Sequence, residues 1–201
     1  MKFAICIVLT AFLAFSPPFL SNFCEAKENK YDAISQKYGF TLEEEREIGF
    51  QSAISLIKKY GHYKNKPVNN YINSIGNNIV SKVSIRPDIN YRFIVLDTDE
   101  VNAFAAPGGF VFITRGAVKI IDNEAELASV LAHEITHVEE GHGLEAIASN
   151  QELKETILSI KSAVDSGQGL SQNFEEYLEK ELNSDSQNSK FINVENLKKK
   201  L

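Results

Sequence analysis

Residues 133 to 137 read His133-Glu134-Ile135-Thr136-His137, and two imidazoles four residues apart restrict the surrounding fold more than any other feature of the chain. On a helix the pair lies on one face and can share a single divalent ion, with Glu134 beside the first of them. The neighbouring pattern is helical. Asn123 followed by Glu126 reads as an N-cap with its capping-box partner, and Leu127, Val130, Leu131, Ile135 and Val138 recur at intervals of three and four. This spacing predicts a helix over residues 124–140, stopped by Gly141 and Gly143. At about 100° per residue, both histidines fall at one edge of the apolar stripe, where a side chain borders both the core and a cleft. The alternative is an amphipathic surface helix with incidental histidines.

The first 26 residues are expected to lie outside the fold. Lys2 precedes an apolar run from Phe3 to Phe15, then Ser16-Pro17-Pro18 and Cys24-Glu25-Ala26. The run is shorter than the roughly 20 residues a membrane span needs, and the segment reads as a secretory signal cleaved after Ala26. An uncleaved N-terminal anchor is the competing reading. Phe23 stands before Cys24 where a lipid-modified cysteine normally has a small residue, which disfavours lipidation. Cleavage after Ala26 would remove both cysteines, Cys6 and Cys24. The mature chain would then have neither a disulfide nor a cysteine nucleophile or ligand, and its stability would rest on its core. About 175 residues suffice for one such domain. The formal charge of −6 argues against nucleic acid, which requires a basic face. Lys198, Lys199 and Lys200 form a basic run that reads as a solvated tail.

Thr41 with Glu44 makes a second capping box, opening a helix that runs to Tyr60 before Gly61. Pro67 suits the first turn of another helix, with Val68, Tyr71, Ile72, Ile75, Ile79 and Val83 on its buried face. Arg86-Pro87-Asp88 breaks that helix, and residues 91–97 read as a strand. Residues 101–114 read as a hairpin turning at Pro107-Gly108-Gly109, with Pro107 and Gly108 at the centre of a type II turn. A short helical segment over 115–121 leads into the histidine helix. Further helices are expected over 151–164 and around Phe174 to Leu182, with a possible gating loop at 141–150. The class expected is α+β: a mainly helical, zincin-like metallopeptidase domain over residues 27–201, with a small antiparallel sheet and an active-site HExxH helix.

A catalytic zinc needs a third protein ligand beyond His133 and His137. His142 follows the second histidine by five residues rather than the six of the longer three-histidine motif, and reads as an orienting or surface residue. The last expected helix offers Glu175, Glu176, Glu179 and Glu181. Counting acids does not choose among them. Glu181 stands out because Asp185 follows one turn later, placed to hydrogen-bond a ligand imidazole.

The run Val101-Asn102-Ala103-Phe104-Ala105-Ala106-Pro107-Gly108-Gly109-Phe110-Val111-Phe112-Ile113-Thr114-Arg115-Gly116, with Asn123-Glu124-Ala125-Glu126-Leu127 and the HExxH helix, resembles the CaaX-prenyl-protease-like zinc metallopeptidases, specifically their exported, soluble bacterial branch. The resemblance extends from about Thr41 to His142. It implies that the third ligand is the glutamate of a later ExxAD motif, which Glu181-Leu182-Asn183-Ser184-Asp185 matches with serine for alanine. The glycine that often follows that motif is missing here, and the sequence ends at Leu201, which implies a reduced C-terminal wall to the cleft.

The expected activity is that of a zinc endopeptidase with one zinc per chain held by His133, His137 and Glu181. Asp185 would orient a ligand, and Glu134 would act as general base and then general acid. Substrate would add in extended form to an edge strand of the 101–114 hairpin, while Phe104 is assigned no site role. Export and the resemblance imply a periplasmic or secreted protease acting on unfolded or misassembled envelope or outer-membrane proteins, with peripheral membrane association left open. A noncatalytic metal-containing chaperone or binding module is the alternative, and the intact Glu134 argues against it. A metal-storage protein would be expected to close the fourth coordination position with another His or Cys.

Overall fold

The computed structural model describes residues 33–166. After a helical turn at residues 33–37, helices α1 (Leu42–Tyr60) and α2 (Lys66–Val83) precede strand β1 (Arg92–Leu96). Strand β2 (Ala103–Ala106), a tight turn at Pro107–Gly109 and strand β3 (Phe110–Thr114) follow. The chain continues as α3 (Arg115–Ile120), α4 (Glu124–Glu139), α5 (His142–Ser149) and α6 (Gln151–Asp165). None of the described helices is long and apolar enough to cross a membrane.

The local signals read from the sequence act as expected at several element ends. Thr41 and Glu44 close a reciprocal capping box at α1, and Gly61 caps its far end at φ 81°. At α2 Pro67 sits in the first turn as expected, where a missing N–H costs nothing, and the structure adds a cap that the sequence reading did not single out, Asn65 accepting from the Val68 amide. Gly108 adopts φ 73° and ψ 15°, the conformation required of the third residue of a type II turn and open to glycine without strain.

The α+β class is borne out, but the sheet is mixed rather than wholly antiparallel. Its order is β1-β3-β2; β1 runs parallel to β3 from Arg92↔Phe110 to Leu96↔Thr114, and β2 runs antiparallel to β3 from Ala103↔Ile113 to Ala106↔Phe110. The cause lies in residues 97–102, which carry the chain across the end of β3 instead of folding β2 back onto β1. Thr114, fully buried, holds this crossing: its hydroxyl donates to the Glu100 carbonyl at 2.6 Å and accepts from the amides of Asn102 and Ala117, each at 3.1 Å. Arg115 reaches Asp97 and Asp99, each at 2.9 Å. Gly116 passes so close beneath the crossing that a Cβ there would overlap the carbonyl oxygens of Asp99 and Glu100. The Thr114-Arg115-Gly116 triplet is therefore the fastener of the sheet. Gly116→Ala is expected to cost about 1–3 kcal/mol, read as a lower urea midpoint at unchanged m-value; a midpoint equal to the parent's would refute the close-packing account.

The two faces of the sheet carry separate cores. Phe93, Val95, Val111 and Ile113 pack with Val68 and Ile72 of α2 and with Leu127, Leu131, Ile135 and Val138 of α4. Ile94, Leu96, Phe110 and Phe112 pack on the other face with Phe50 and Ala53 of α1. A third cluster joins Phe40 and Ile48 to Leu144 and Ile157, seating α5 and α6.

Residues 141–150, expected as a loop, form α5 instead. Gly141 at φ 70° serves as the turn between helices, and Leu144, Ile147 and Ala148 supply an apolar face at helical spacing that packs into the third cluster. The end of α6 agrees with the expectation to within a residue. The helix expected around Phe174 to Leu182 falls outside the described residues.

Candidate active site

The histidine helix is positioned from both ends. At its start, Asn123 accepts from the Glu126 amide at 3.0 Å, and the Tyr71 hydroxyl of α2 donates to Glu124 at 2.6 Å. Leu127, Leu131, Ile135 and Val138, all nearly or wholly buried, fix the rotation of the helix about its axis by facing the sheet. That rotation leaves His133 exposed and His137 half-buried on the outer side, at the edge of the apolar stripe as the spacing predicts.

The far end is held by charge. Glu139 accepts from the Ser84 hydroxyl at 2.6 Å, the Ile85 amide at 3.0 Å and the Tyr91 hydroxyl. Burial first, and then the hydrogen bond to Glu139, push the Tyr91 phenol well above its ordinary range, so it remains a donor. Arg86 donates to the Val138 carbonyl at 2.9 Å, satisfying one of the acceptors a helix end leaves open. The same guanidinium grips Glu45 of α1 with two bonds of 3.0 and 2.6 Å. Glu45 in turn accepts from the Gly108 amide at 3.0 Å and from the Ser35 hydroxyl at 2.7 Å. Arg86 and Glu45 are 2% and 1% exposed, so this forked pair is a buried link between α1, the Pro107–Gly109 turn and the residue next to His137.

Within the site, the Nε2 atoms of His133 and His137 approach to 3.1 Å, with ring centroids 4.7 Å apart and planes at 89°. Two imidazoles bound tetrahedrally to one zinc at about 2.0–2.1 Å place their ligand atoms roughly 3.3 Å apart. The pair therefore fits a shared ion. On the other side of the His137 ring, Nδ1 lies 2.8 Å from Nδ1 of His142. His142 consequently meets the nitrogen turned away from the shared side, the position of an orienting partner rather than of a third ligand to the same ion. Glu134 is 8% exposed. Its burial holds the carboxyl above the usual carboxylate range, an effect opposed by the neighbouring His137 and His133.

His133, Glu134 and His137 thus come together as expected on one helix. Among the described residues, no group of three or more His, Cys, Asp or Glu side chains could hold a metal. Glu181 and Asp185, the expected third ligand and its orienting neighbour, lie outside the described residues. Beside α4, β2 is an edge strand of the sheet among the described residues. Ala103 and Ala105 pack toward the core shared with α4, whereas Phe104 packs toward α1 and stacks on Tyr60 with centroids 6.4 Å apart. Phe104 is a packing residue.

The Arg86–Glu45 link is the part that sequence reasoning missed. Arg86 precedes Pro87 in a segment that reads as a helix breaker, and its partner stands 41 residues earlier on a helix whose other glutamates suit a solvated first turn.

The histidine pair, the buried acid between them and an edge strand alongside define a metallopeptidase type of site. The profile of peptidase family M48 matches residues 67–190, more than half of the chain, and the chain belongs to that family. It is similar to the beta-barrel assembly-enhancing protease of Yersinia pestis, 43% identical over 84 residues that make up 41% of this chain and 17% of that protein. The protein of the same name from Escherichia coli K12 is 42% identical over 82 residues, 40% of this chain and 16% of the relative. A mitochondrial metalloendopeptidase, OMA1 of Schizosaccharomyces pombe, is 28% identical over 146 residues, 69% of this chain and 43% of that protein. The chain spans less than half the length of each of these relatives.

Proposed function

We propose that the chain is a zinc endopeptidase of the periplasm that cleaves unfolded or misassembled outer-membrane and envelope proteins. The observation that carries the chemistry is the 3.1 Å approach of the His133 and His137 Nε2 atoms beside a buried Glu134, in a chain of family M48. The name that two relatives share, beta-barrel assembly-enhancing protease, supports the substrate class, and the leader-like first 26 residues support export.

His133 and His137 would hold zinc through Nε2, with Glu181 as third ligand and Asp185 and His142 orienting the ligand side chains. Zinc bound there supplies Lewis acidity toward the peptide carbonyl and makes attacking water more acidic. Glu134 takes the proton from the attacking water and delivers it to the departing amine nitrogen, so one carboxyl serves as base and then as acid. Its burial, which holds the carboxyl above the usual carboxylate range against the opposing effect of His137 and His133, favours a group that can hold the proton between the two transfers. The edge of β2 that faces away from β3 pairs with substrate backbone, which aligns an extended chain over the site without regard to its sequence. A folded protein offers few such strands, so this mode of binding favours unfolded substrates.

The test is zinc content and casein hydrolysis of the exported protein beside Glu181→Ala and Asp185→Ala. The parent is expected to hold one zinc and cleave. Glu181→Ala should lose both properties, and Asp185→Ala should weaken zinc binding by roughly 10- to 100-fold. Full zinc affinity in Glu181→Ala would remove it as the third ligand. A zinc-loaded parent that never cleaves would favour a noncatalytic binding or chaperone role.

A further inference from the structure

His137 stands in the last turn of α4, just before the helix ends at Glu139, whereas His133 stands a full turn deeper. We propose that Ile34 and Tyr38, carried by the short N-terminal turn, are positioning residues for the metal site: they back the corner between α4 and α5 and so hold His137, and His142 behind it, where a metal needs them. The turn precedes residue 67, where the match to the family profile begins. The inference deepens the zinc reading of the histidine pair and rests on it.

The need for such backing follows from helix physics. The last carbonyls of a helix lack intrahelical partners, so its final turn frays unless something outside holds it. A metal site tolerates ligand displacements of only about 0.2 Å, and the two imidazoles here straddle the boundary between rigid helix and final turn. Arg86 and the partners of Glu139 act on residues 138 and 139. The chain beyond them turns at Gly141 and carries His142. Because His142 is exposed, its ring is placed by the backbone under it rather than by packing, yet its Nδ1 lies 2.8 Å from Nδ1 of His137. Whatever fixes the corner therefore fixes that contact.

The N-terminal turn meets the corner directly. A Cβ at Gly141 would lie 2.6 Å from Cγ2 of Ile34 and 3.1 Å from Cε2 of Tyr38, so both side chains press on the α-carbon at which the chain turns. Tyr38 also packs in the third cluster with Leu144, in the first turn of α5. The turn is itself anchored. The Tyr38 and Phe40 amides both donate to the Ser35 carbonyl, at 3.1 and 2.9 Å. The buried Ser35 hydroxyl donates to Glu45 at 2.7 Å and accepts from Arg86 at 3.2 Å. Ser35 thus ties the turn to the same forked pair that holds the Val138 carbonyl, and Ile34 and Tyr38 on either side of it carry that hold onward to Gly141.

The test compares Tyr38→Ala, Tyr38→Phe and Ile34→Ala with the parent and with Ile57→Ala, which trims the core on the opposite face of the sheet. Each exported protein is loaded with zinc, and zinc release to a chelator, melting temperature, and kcat and KM on casein are measured. Samples loaded with Co2+ instead give visible absorption bands that report ligand geometry. Tyr38→Ala should release zinc about 10- to 100-fold faster, the scale of losing an outer support of a metal ligand, with shifted Co2+ bands and a lowered kcat at unchanged KM. Tyr38→Phe keeps the ring and should match the parent. Ile34→Ala should release zinc several-fold faster, and it decides the matter if Tyr38→Ala does not fold. Ile57→Ala should lower the melting temperature without changing zinc release or the Co2+ bands. Parent-like zinc release in Tyr38→Ala and Ile34→Ala, or equal acceleration in Ile57→Ala, overturns the proposal. A zinc-loaded parent that cleaves nothing overturns the peptidase reading alone, since zinc release and the Co2+ bands still decide the positioning role; a parent that holds no zinc overturns both.

Discussion

Glu134→Gln is expected to keep the zinc content and melting temperature of the parent and to lose about 100- to 10,000-fold of its rate on casein, the range over which a positioned general acid–base acts. The substitution is nearly isosteric, and the neighbouring His133 and His137 rings are left as they are. What changes is the proton. A carboxylate accepts one from attacking water and returns it to the leaving nitrogen, whereas an amide can do neither. Glu134 is 8% exposed and makes no hydrogen bond to another of the described residues, so glutamine breaks no internal network and stability should be nearly unaffected. Zinc content is read by elemental analysis and rate by release of soluble peptide. Loss of zinc together with activity would make Glu134 a structural support of the site, and retention of more than a tenth of the rate would assign the proton transfer to another group.

The parts of the molecule legible in the sequence were those governed by short-range rules. Capping by Thr41 and Asn123 depends on residues within one turn, and the turn at Pro107-Gly108 depends on two adjacent residues. The histidine pair is an i, i+4 relation, so its common face follows from helix geometry alone. The direction of β1 was not legible, because it is decided by how residues 97–102 cross the end of β3, and that crossing depends on the buried Thr114 hydroxyl and on the space at Gly116. Helix α5 was hidden by two glycines that read as a stop, although Leu144, Ile147 and Ala148 already carried its apolar spacing. His142 could be read as an orienting residue from its offset of five, but only the ring geometry places its Nδ1 against the nitrogen of His137 turned away from His133. Long-range charge pairing was the least accessible of all, since no local pattern distinguishes Glu45 from the glutamates on either side of it.

That hidden pair carries the largest expected effect on stability. Arg86→Met should cost about 3–5 kcal/mol, because it leaves the Glu45 carboxylate buried without its cation. On a domain whose total stability is on the order of 5–15 kcal/mol, such a loss places the protein near its unfolding threshold at physiological temperature. The forked geometry at 3.0 and 2.6 Å and the exposure of 2% and 1% separate this pair from the surface bridges of Arg115 and Lys119 to Asp99, for which about 0–1 kcal/mol is expected. Arg86→Lys keeps the charge but offers one ammonium in place of a planar fork, so it cannot grip both Glu45 oxygens and the Val138 carbonyl together; its cost should fall between those of the parent and Arg86→Met. Adding Glu45→Gln to Arg86→Met removes the stranded charge and should recover part of the loss, whereas Glu45→Gln alone weakens the pair. Urea titrations of the four proteins form a double-mutant cycle, and a coupling energy below about 1 kcal/mol would show that packing of the two side chains, rather than their charges, holds α1 and the Pro107–Gly109 turn against the end of the histidine helix.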